Sequence, residues 1–483
     1  MWIPFAAQLS LLVSQRVLDS APNDESSGSV SLAPRHAHVA SYNQSQPLLF
    51  YSNPNTFSIN SDPLVLKTRK AKIRRARSRP PHMLSWARSV KDAREGRVNA
   101  SGWIAPNINT AALPFGAYAA DGDGGDGDWD DVEVDAPDVT DRQTLLTLAK
   151  MSSNAYTTPD ESNWWPLSKW NNGTGYGWEP DADGLRGHIG TSAGVLGSGG
   201  PTAKNDKFND NLMFSCCCAR VDFSWSTVCD CYAGSYKCEQ QCVENALVEE
   251  SVYASVGTNL YNNVTYMYPD ANIWLTGHSL GGSLSALIGS AFGAPAVGFE
   301  APGDRLPARR LHLPGPPAIP PELSGITHVY HTADPIPMGA CTGAYSGCYA
   351  AGFALESKCH TGETILYDTV TVKGWSVDVR THRISEVINR VLADPWPVGD
   401  DDGDGDKKPK EPPKPGPGDG DDDDDDDDDD IPGWPWSNWW GWGNKPRTKK
   451  PKWNPHGGVP KAKPEEDCVD CYKWEFGDHW DDK

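Results

Sequence analysis

The sequence lacks any long hydrophobic run. No stretch of its 483 residues reaches the roughly 18 uninterrupted apolar residues typical of a membrane-spanning helix. Residues 1–13 come nearest, but this segment is short, is broken by polar residues and has no leading positive charge. We therefore interpret residues 1–20 as a weak signal-anchor, or as the remnant of a longer one.

Basic residues are scarce. Lysine and arginine number 43 against 65 acidic residues, which gives a formal net charge of −22. Residues 121–141 contain ten acids and no base, and residues 400–430 contain seventeen acids and four lysines. These two stretches account for the whole excess of acidic over basic residues, so the remainder of the chain is nearly neutral. Acidic segments repel phosphate backbones, and the composition therefore argues against nucleic acid as a partner.

A complete calcium motif is also missing. The alternate aspartates of residues 126–130 resemble the start of an EF-hand loop. However, Asp131 and Pro137 stand where such a loop needs glycine and glutamate. The sequence therefore predicts no metal ion and no cofactor.

The twelve cysteines are clustered, with seven in residues 216–242, three in residues 341–359, and the pair Cys468 and Cys471. The large cluster lacks the paired C-x₂-C spacing of common zinc sites, so disulfides formed in an oxidising compartment are the favoured interpretation and zinc is the alternative. Four N-x-S/T sequons agree with a secretory route. The candidate glycosylation sites are Asn43, Asn99, Asn172 and Asn263.

Residue patterns divide the chain into three parts after residue 20. Residues 21–137, which contain a basic run and the first acidic stretch, are predicted to be a poorly ordered lumenal region and acidic linker. In residues 138–397, helical and strand patterns alternate, which predicts an α/β fold with a mostly parallel sheet and a catalytic domain. Residues 398–483 read as a low-complexity Asp/Pro/Trp tail that cannot build a core.

One stretch, residues 273–284, combines an apolar strand, a sharp turn and the start of a helix. The turn has the G-x-S-x-G pattern, with Ser279 between Gly277 and Gly281. This is the nucleophile elbow, in which a strained serine is held above the sheet while the next backbone N–H, that of Leu280, faces the developing oxyanion. The pattern predicts Ser279 as a nucleophile.

A serine hydrolase of this type also needs an acid and then a histidine, in that chain order. Asp334 fits best, because it follows the predicted strand of residues 326–330 in a proline-bounded turn, and His382 opens the last predicted helix. The competing acids are Asp304, Asp368 and Asp378, and the competing histidine is His360. We predict Thr191, in a Gly-Thr-Ser loop, as the second oxyanion donor.

Several stretches of the chain resemble the fungal autophagy-related lipases, whose elbow is of the class 3 lipase type. Besides the elbow of residues 277–282, the most specific matches are residues 214–222, 268–276, 331–339 and 376–382.

This resemblance implies an α/β-hydrolase fold and places the triad on Ser279, Asp334 and His382. It further implies a glycoprotein with a single signal-anchor that travels through Golgi and endosome to the vacuole. There it would hydrolyse triacylglycerols and membrane phospholipids, including those of autophagic bodies and multivesicular-body vesicles.

One segment departs from the family pattern. Gly187-His188-Ile189 runs directly into Gly190-Thr191, whereas the family has an apolar strand between the corresponding residues. A central strand is hydrogen-bonded on both sides, and its loss would leave buried backbone groups unpaired. We therefore expect a poorly folded chain or a displaced oxyanion loop, and a catalytically impaired isoform is one alternative reading. A soluble ester or thioester hydrolase and a non-catalytic, lipid-binding module are the others.

Overall fold

The computed structural model of the chain describes residues 10–14, 27–32, 37–39, 49–51, 64–76, 129–157, 161–167, 174–176, 187–189, 194–195, 203–221, 226–251, 257–258, 260–262, 264–265, 271–341, 346–397, 453–454 and 458–477. Its strands are β1 Ser10–Ser14, β2 Ser27–Leu32, β3 Ala37–Val39, β4 Leu49–Tyr51, β5 Leu64–Ala76, β6 Trp129–Pro137, β7 Thr174–Tyr176, β8 Gly187–Ile189, β9 Gly194–Val195, β10 Tyr232–Gly234, β11 Lys237–Glu239, β12 Asn272–His278, β13 Ala296–Phe299, β14 Ile326–His331, β15 Glu363–Tyr367, β16 Trp396–Pro397, β17 Trp453–Asn454, β18 Lys463–Pro464 and β19 Glu475–Gly477.

The helices are α1 Arg142–Asn154, α2 Ala203–Met213, α3 Gln240–Glu250, α4 Leu280–Phe292, α5 Arg305–Arg310, α6 Gly347–Ala351, α7 Thr369–Lys373 and α8 Ile384–Glu386. Helix α8 continues as a π-helical turn, Val387–Leu392, and Val379–His382 forms a 3₁₀ turn just before it.

A nine-stranded sheet organises the fold. Its order is β18-β15-β14-β13-β12-β1-β9-β8-β7, and the four neighbours β12 to β15 are parallel. Six of the seven residues of strand β12 are buried, as expected of a strand covered on both faces. The predicted α/β-hydrolase fold is confirmed. Its parallel strands lie toward one edge of the sheet, and Ser279 follows one of them, β12.

Helix α4 packs closely against these parallel strands because glycine faces them. A Cβ atom added to Gly282 would lie 3.0 Å from the Cβ of Ala301 and 3.2 Å from the carbonyl oxygen of Gly277. On the helix itself, Leu284 and Ile288 are buried in the main hydrophobic core. Gly282 therefore lets the helix lie on the sheet directly after the turn.

The N-terminal segment occupies the position where the sequence predicted a missing strand. Strand β1 runs antiparallel to β12, pairing Ser10 with Thr276 through to Ser14 with Asn272, and its other edge pairs with β9. The expectation of an open gap in the sheet is thus corrected. The unpaired edge of β12 offers a row of backbone donors and acceptors, and a short segment from far away in the sequence satisfies them. Residues 10–14, assigned above to a weak signal-anchor, are strand here.

The region of residues 21–137 is also more ordered than predicted in its described parts. Strand β5 pairs with β6 over nine positions and with β2 on its other edge. The basic run and the acidic stretch lie side by side in this ribbon, with Lys70 2.7 Å from Asp135 and Lys72 2.9 Å from Asp131. Leu66 and Ile73 are buried beneath them. Opposite charges and two apolar anchors order segments that composition alone marks as unfolded.

The predicted tail of residues 398–483 needs a similar correction. The compact unit that holds Met1–Asp394 also includes Val459–Lys483. Strand β18 pairs antiparallel with β15, β19 pairs parallel with β11, and two disulfides join Cys468 to Cys359 and Cys471 to Cys216. Disulfide pairing leaves no periodic pattern in a sequence, which is why the segment read as a tail.

The second compact unit is Pro395–Gly458, in which Trp396–Pro397 pairs with Trp453–Asn454. Among the residues that the structure describes, no helix combines the length and the apolar character needed to cross a membrane.

Candidate active site

Ser279 lies in the turn between β12 and α4, in a strained backbone conformation with φ 57° and ψ −132°. Its N–H donates to the carbonyl oxygen of Phe299 at 2.9 Å, which ties the turn to the neighbouring strand. A non-glycine residue at such φ costs on the order of 1–3 kcal/mol and persists only where the surrounding structure holds it. This is the geometry of a nucleophile elbow.

His382 lies between Ser279 and Asp334. Its Nε2 is 2.8 Å from Ser279 Oγ, and its Nδ1 is 2.6 Å from Asp334 Oδ2. Since a carboxylate accepts, Nδ1–H donates to Asp334, which leaves Nε2 to accept the hydroxyl proton of Ser279. All three side chains are buried. The structure therefore brings the three predicted residues together, in the order that proton transfer requires.

Asp334 is held from two sides. It follows β14, and its Oδ1 accepts the N–H of Ile336 at 3.0 Å. Burial alone would raise the pKa of this carboxyl, but His382, which donates a hydrogen bond to it, holds the pKa below its usual range. Asp334 is therefore an anion where the imidazole needs one.

His382 is positioned by the 3₁₀ turn that precedes α8. Asp378 caps this turn by accepting the N–H of Arg380 at 2.8 Å. The hydroxyl of Thr381 donates to the carbonyl oxygen of Ala333 at 2.9 Å, which joins the turn directly to the Asp334 loop.

The competing candidates have other structural roles. Asp304 accepts two hydrogen bonds from Thr361, and Asp368 caps α7. His360 faces Glu465 at 2.9 Å, away from Ser279. None of these side chains hydrogen-bonds to Ser279 in the described part of the chain.

Two further residues of the site were missed by the sequence analysis. His278 Nε2 is 2.7 Å from the carbonyl oxygen of His382, and its Nδ1 is 2.6 Å from the hydroxyl of Tyr156. Burial first, and then His382, lower the pKa of His278 to about 3, so the ring is neutral. It donates from Nε2 and accepts from Tyr156, which fixes the His382 backbone. The position of His278 inside the elbow motif was the only available signal.

The oxyanion donors are only partly within the described residues. Leu280 is the first residue of α4, where backbone N–H groups have no partner inside the helix. Thr191 and the four candidate glycosylation sites, Asn43, Asn99, Asn172 and Asn263, lie outside the described residues.

The cysteines form disulfides, as predicted. All twelve are paired, and the bonds are Cys216–Cys471, Cys217–Cys238, Cys218–Cys229, Cys231–Cys242, Cys341–Cys348 and Cys359–Cys468. Within the described residues, the one set of three side chains close enough to share a metal ion is Cys218, Cys229 and Cys231. Their sulfurs are already oxidised to disulfides, so the zinc alternative is not supported there.

Comparison with known proteins gives consistent results. The family model "Lipase (class 3)" matches residues 211–302, which include the elbow. A protein of Cryptococcus neoformans var. neoformans serotype D (strain JEC21), named "Putative lipase ATG15", is 54% identical over 526 aligned positions, which cover 99% of this chain and 100% of the relative. That alignment is longer than this chain, so the relative has residues that are absent here.

More distant relatives carry the same name. The Mycosarcoma maydis protein is 45% identical over 73% of this chain and 69% of its own length. The protein of Saccharomyces cerevisiae (strain S288c) is 49% identical over 55% of this chain and 54% of its own length. No solved structure matches the chain.

Proposed function

Because the chain belongs to the family of fungal ATG15 lipases, we propose that it is a serine-dependent lipase that cleaves the ester bonds of triacylglycerols and membrane phospholipids. The observation that carries this proposal is the hydrogen-bonded series Ser279–His382–Asp334 at 2.8 and 2.6 Å. A nucleophile, a base and an orienting acid in this arrangement perform acyl transfer on unrelated folds.

The reaction follows from the geometry. His382 Nε2 takes the proton of Ser279 as Oγ attacks the ester carbonyl, and Asp334 stabilises the resulting imidazolium. The backbone N–H of Leu280 stabilises the tetrahedral oxyanion, and we assign the second donor to Thr191 from the sequence pattern alone. The imidazolium then gives its proton to the leaving alcohol oxygen, which leaves an acyl group on Ser279. Water, deprotonated by the same imidazole, releases the fatty acid and restores the serine.

The proposed setting follows from the family resemblance and from the disulfides. An oxidising secretory route suits a chain whose cysteines are all paired. We propose delivery through Golgi and endosomes to the vacuole lumen, with N-glycans at the four sequons. The substrates there would be the membranes of autophagic bodies and multivesicular-body vesicles. Membrane association through the N-terminal segment and the absence of a nucleic-acid partner belong to the same proposal.

The decisive experiment removes the nucleophile. Ser279→Ala should lower hydrolysis of a soluble short-chain ester by more than about a thousandfold, since loss of a triad member usually costs more than that. The variant should also lose labelling by a fluorophosphonate probe. The exposed Ser376 offers a matched control, and Ser376→Ala should keep both properties.

Substrate assays divide the remaining alternatives. Hydrolysis of phospholipid vesicles or dispersed triacylglycerol supports a lipase, whereas activity on soluble esters alone supports a different ester hydrolase. A parent chain that binds vesicles but is neither labelled nor active would contradict the proposal and support the impaired or non-catalytic alternative.

A further inference from the structure

A second acidic side chain, that of Glu300, lies beside Asp334. Glu300 follows β13 directly, and its side chain is fully buried. The Glu300 and Asp334 carboxyl groups lie close enough to share a hydrogen bond if one of them is protonated. Two neighbouring carboxyl groups in a buried site do not both ionise readily, because like charges repel strongly there.

The backbone of Glu300 is strained. Its φ is +45°, a region that glycine and asparagine prefer and that costs other residues free energy. The N–H of Glu300 donates to the carbonyl oxygen of Val329 at 3.0 Å, so the strained residue is fixed to β14. A strained backbone that carries a buried carboxyl group toward a catalytic acid points to a role for the side chain.

The hydrogen bonds around Glu300 leave one oxygen without a donor. Oε2 accepts the N–H of His331 at 3.4 Å. Among the described residues, no donor reaches the buried Oε1. The nearest candidate is His331 Nε2 at 3.8 Å, but this nitrogen lies 3.2 Å from the carbonyl oxygen of Thr381, to which it donates. An ionised carboxylate would therefore be poorly stabilised, whereas a protonated one supplies a donor of its own.

We propose that Glu300 is a positioning residue that, in its protonated form, donates a hydrogen bond to Asp334 and so fixes this carboxylate against His382. This inference rests on the proposed triad. Asp334 then accepts from Ile336 N–H, from His382 and from Glu300, and its two oxygens cannot rotate away from the imidazole. Glu300 touches neither substrate nor the reacting atoms.

The surrounding charges favour this protonation state. Burial first, and then the Asp334 carboxylate, raise the pKa of Glu300 well above its usual range. The other titratable groups that face the pair are Tyr330, His278, His331 and His382. Burial raises the pKa of Tyr330, so its hydroxyl stays neutral. Burial lowers the pKa of His278 and of His331, so neither ring supplies a positive charge that would ionise Glu300.

The proposal predicts an alkaline limb in the activity profile that belongs to Glu300. Below its pKa the carboxyl is protonated and holds Asp334. As the pH rises through the pKa, the proton is lost, two anions face each other and kcat falls. Glu300→Gln keeps a donor but cannot ionise, so this limb should move to higher pH while the acid limb, set by the triad, stays in place.

Glu300→Gly separates the side chain from the strained backbone. Glycine accepts the positive φ, so the change removes the carboxyl and relieves the strain. We expect kcat to fall by about tenfold to a hundredfold with little change in KM, as is typical for the loss of a hydrogen bond to a charged group.

Glu356 is the matched control. It is also a buried carboxyl, and burial raises its pKa to about 7, but it accepts the N–H of Cys216 at 2.7 Å, outside the triad. Glu356→Gln should leave the alkaline limb where the parent has it.

The test is kcat and KM against pH for the parent and the three variants on a soluble ester, with the melting temperature of each. An unshifted alkaline limb in Glu300→Gln, or a parent-like kcat in Glu300→Gly, overturns the proposal. If Glu300→Gly does not fold, the Glu300→Gln profile decides alone. A parent that lacks both hydrolysis and fluorophosphonate labelling would instead overturn the proposed function.

Discussion

The two ends of the chain join the same sheet by different means. The N-terminal strand β1 is attached by backbone hydrogen bonds to β12 and β9, and the β5–β6 ribbon is bridged by partly exposed ion pairs. The C-terminal segment of residues 459–477 contributes only short strands, but it is held by two disulfides and by a buried ion pair between His360 and Glu465. The C-terminal segment needs only short strands, because disulfides and a buried ion pair hold it in place of a long run of backbone hydrogen bonds.

The buried pair of His360 and Glu465 holds the C-terminal segment through several short hydrogen bonds. Glu465 accepts from His360 Nδ1 at 2.9 Å, from the His360 N–H at 2.8 Å and from the Tyr330 hydroxyl at 2.6 Å. Burial opposes both charges, yet each partner stabilises the other. The pKa of Glu465 is lowered to about 2, and the pKa of His360 is raised to about 9.

Breaking the His360–Glu465 pair should lower the free energy of unfolding more than the substitutions in β1 or in the β5–β6 ribbon. Glu465→Gln leaves His360 buried without its anion and should cost about 3–5 kcal/mol of the free energy of unfolding. The exposed neighbour Glu466 provides the control, and Glu466→Gln should change the melting temperature little.

The pH dependence of the pair follows from the two pKa values. The stability from Glu465 is present above its unfolded pKa and is lost as the pH falls toward about 2. The stability from His360 is present below its unfolded pKa and is lost as the pH rises toward about 9. The difference between parent and Glu465→Gln should be constant between about pH 5 and 6. A difference that disappears at pH 5 would contradict the ion pair.

A proline substitution in β1 tests whether this N-terminal strand stabilises the nine-stranded sheet. Leu12 pairs with Trp274, and Leu12→Pro removes a backbone donor and should cost about 1–3 kcal/mol, as is typical when a buried partner is left without its hydrogen bond. The same change at Val39, in a strand outside the nine-stranded sheet, is the control. Equal melting temperatures for Leu12→Pro and parent would show that β1 does not fill the sheet.

An insertion sharpens this test. An apolar strand of family type placed between Ile189 and Gly190 should compete with β1 for the edge of β12. Leu12→Pro should then have no effect in the inserted chain. A full effect there would mean that the inserted strand goes elsewhere.

A substitution in the β5–β6 ribbon should lower the melting temperature least. Asp131 accepts from Lys72 at 2.9 Å and from Arg74 at 2.7 Å on an accessible surface. These partners lower the pKa of Asp131, but exposed pairs contribute little and are screened by salt. Asp131→Asn should shift the melting temperature less than Leu12→Pro does, and the shift should shrink further in 1 M salt. A shift that is large and independent of salt would contradict this view.

The features that the sequence predicted well are local. The elbow is a short motif, and the chain order of the acid and the histidine limited the candidates for Asp334 and His382 to a few. The parallel strands β12, β13 and β14 follow from apolar runs between helices, whereas the sequence analysis did not predict β15. The elbow and the strands are signals that lie within about ten residues, where spacing and hydrophobic pattern carry the information.

The features that the sequence did not predict depend on contacts between distant segments. Composition marked the basic run and the acidic stretch as unfolded, because it treats each segment alone. The role of β1 appears only when the edge of β12 is known to be open. Glu300 read as an ordinary residue after a strand, since nothing local shows that a second carboxyl lies against it.

The sequence separations of the disulfides set an order of events during synthesis. Four bonds span 7 to 21 residues and can close as soon as each short segment has emerged. The bonds of Cys359 and Cys216 span 109 and 255 residues and must wait for the last part of the chain to arrive. Until then both thiols remain available for mispairing or for capture by an oxidoreductase. These two bonds therefore form only after residues 468–471 have been synthesised, and a chain that stops before them lacks both bonds.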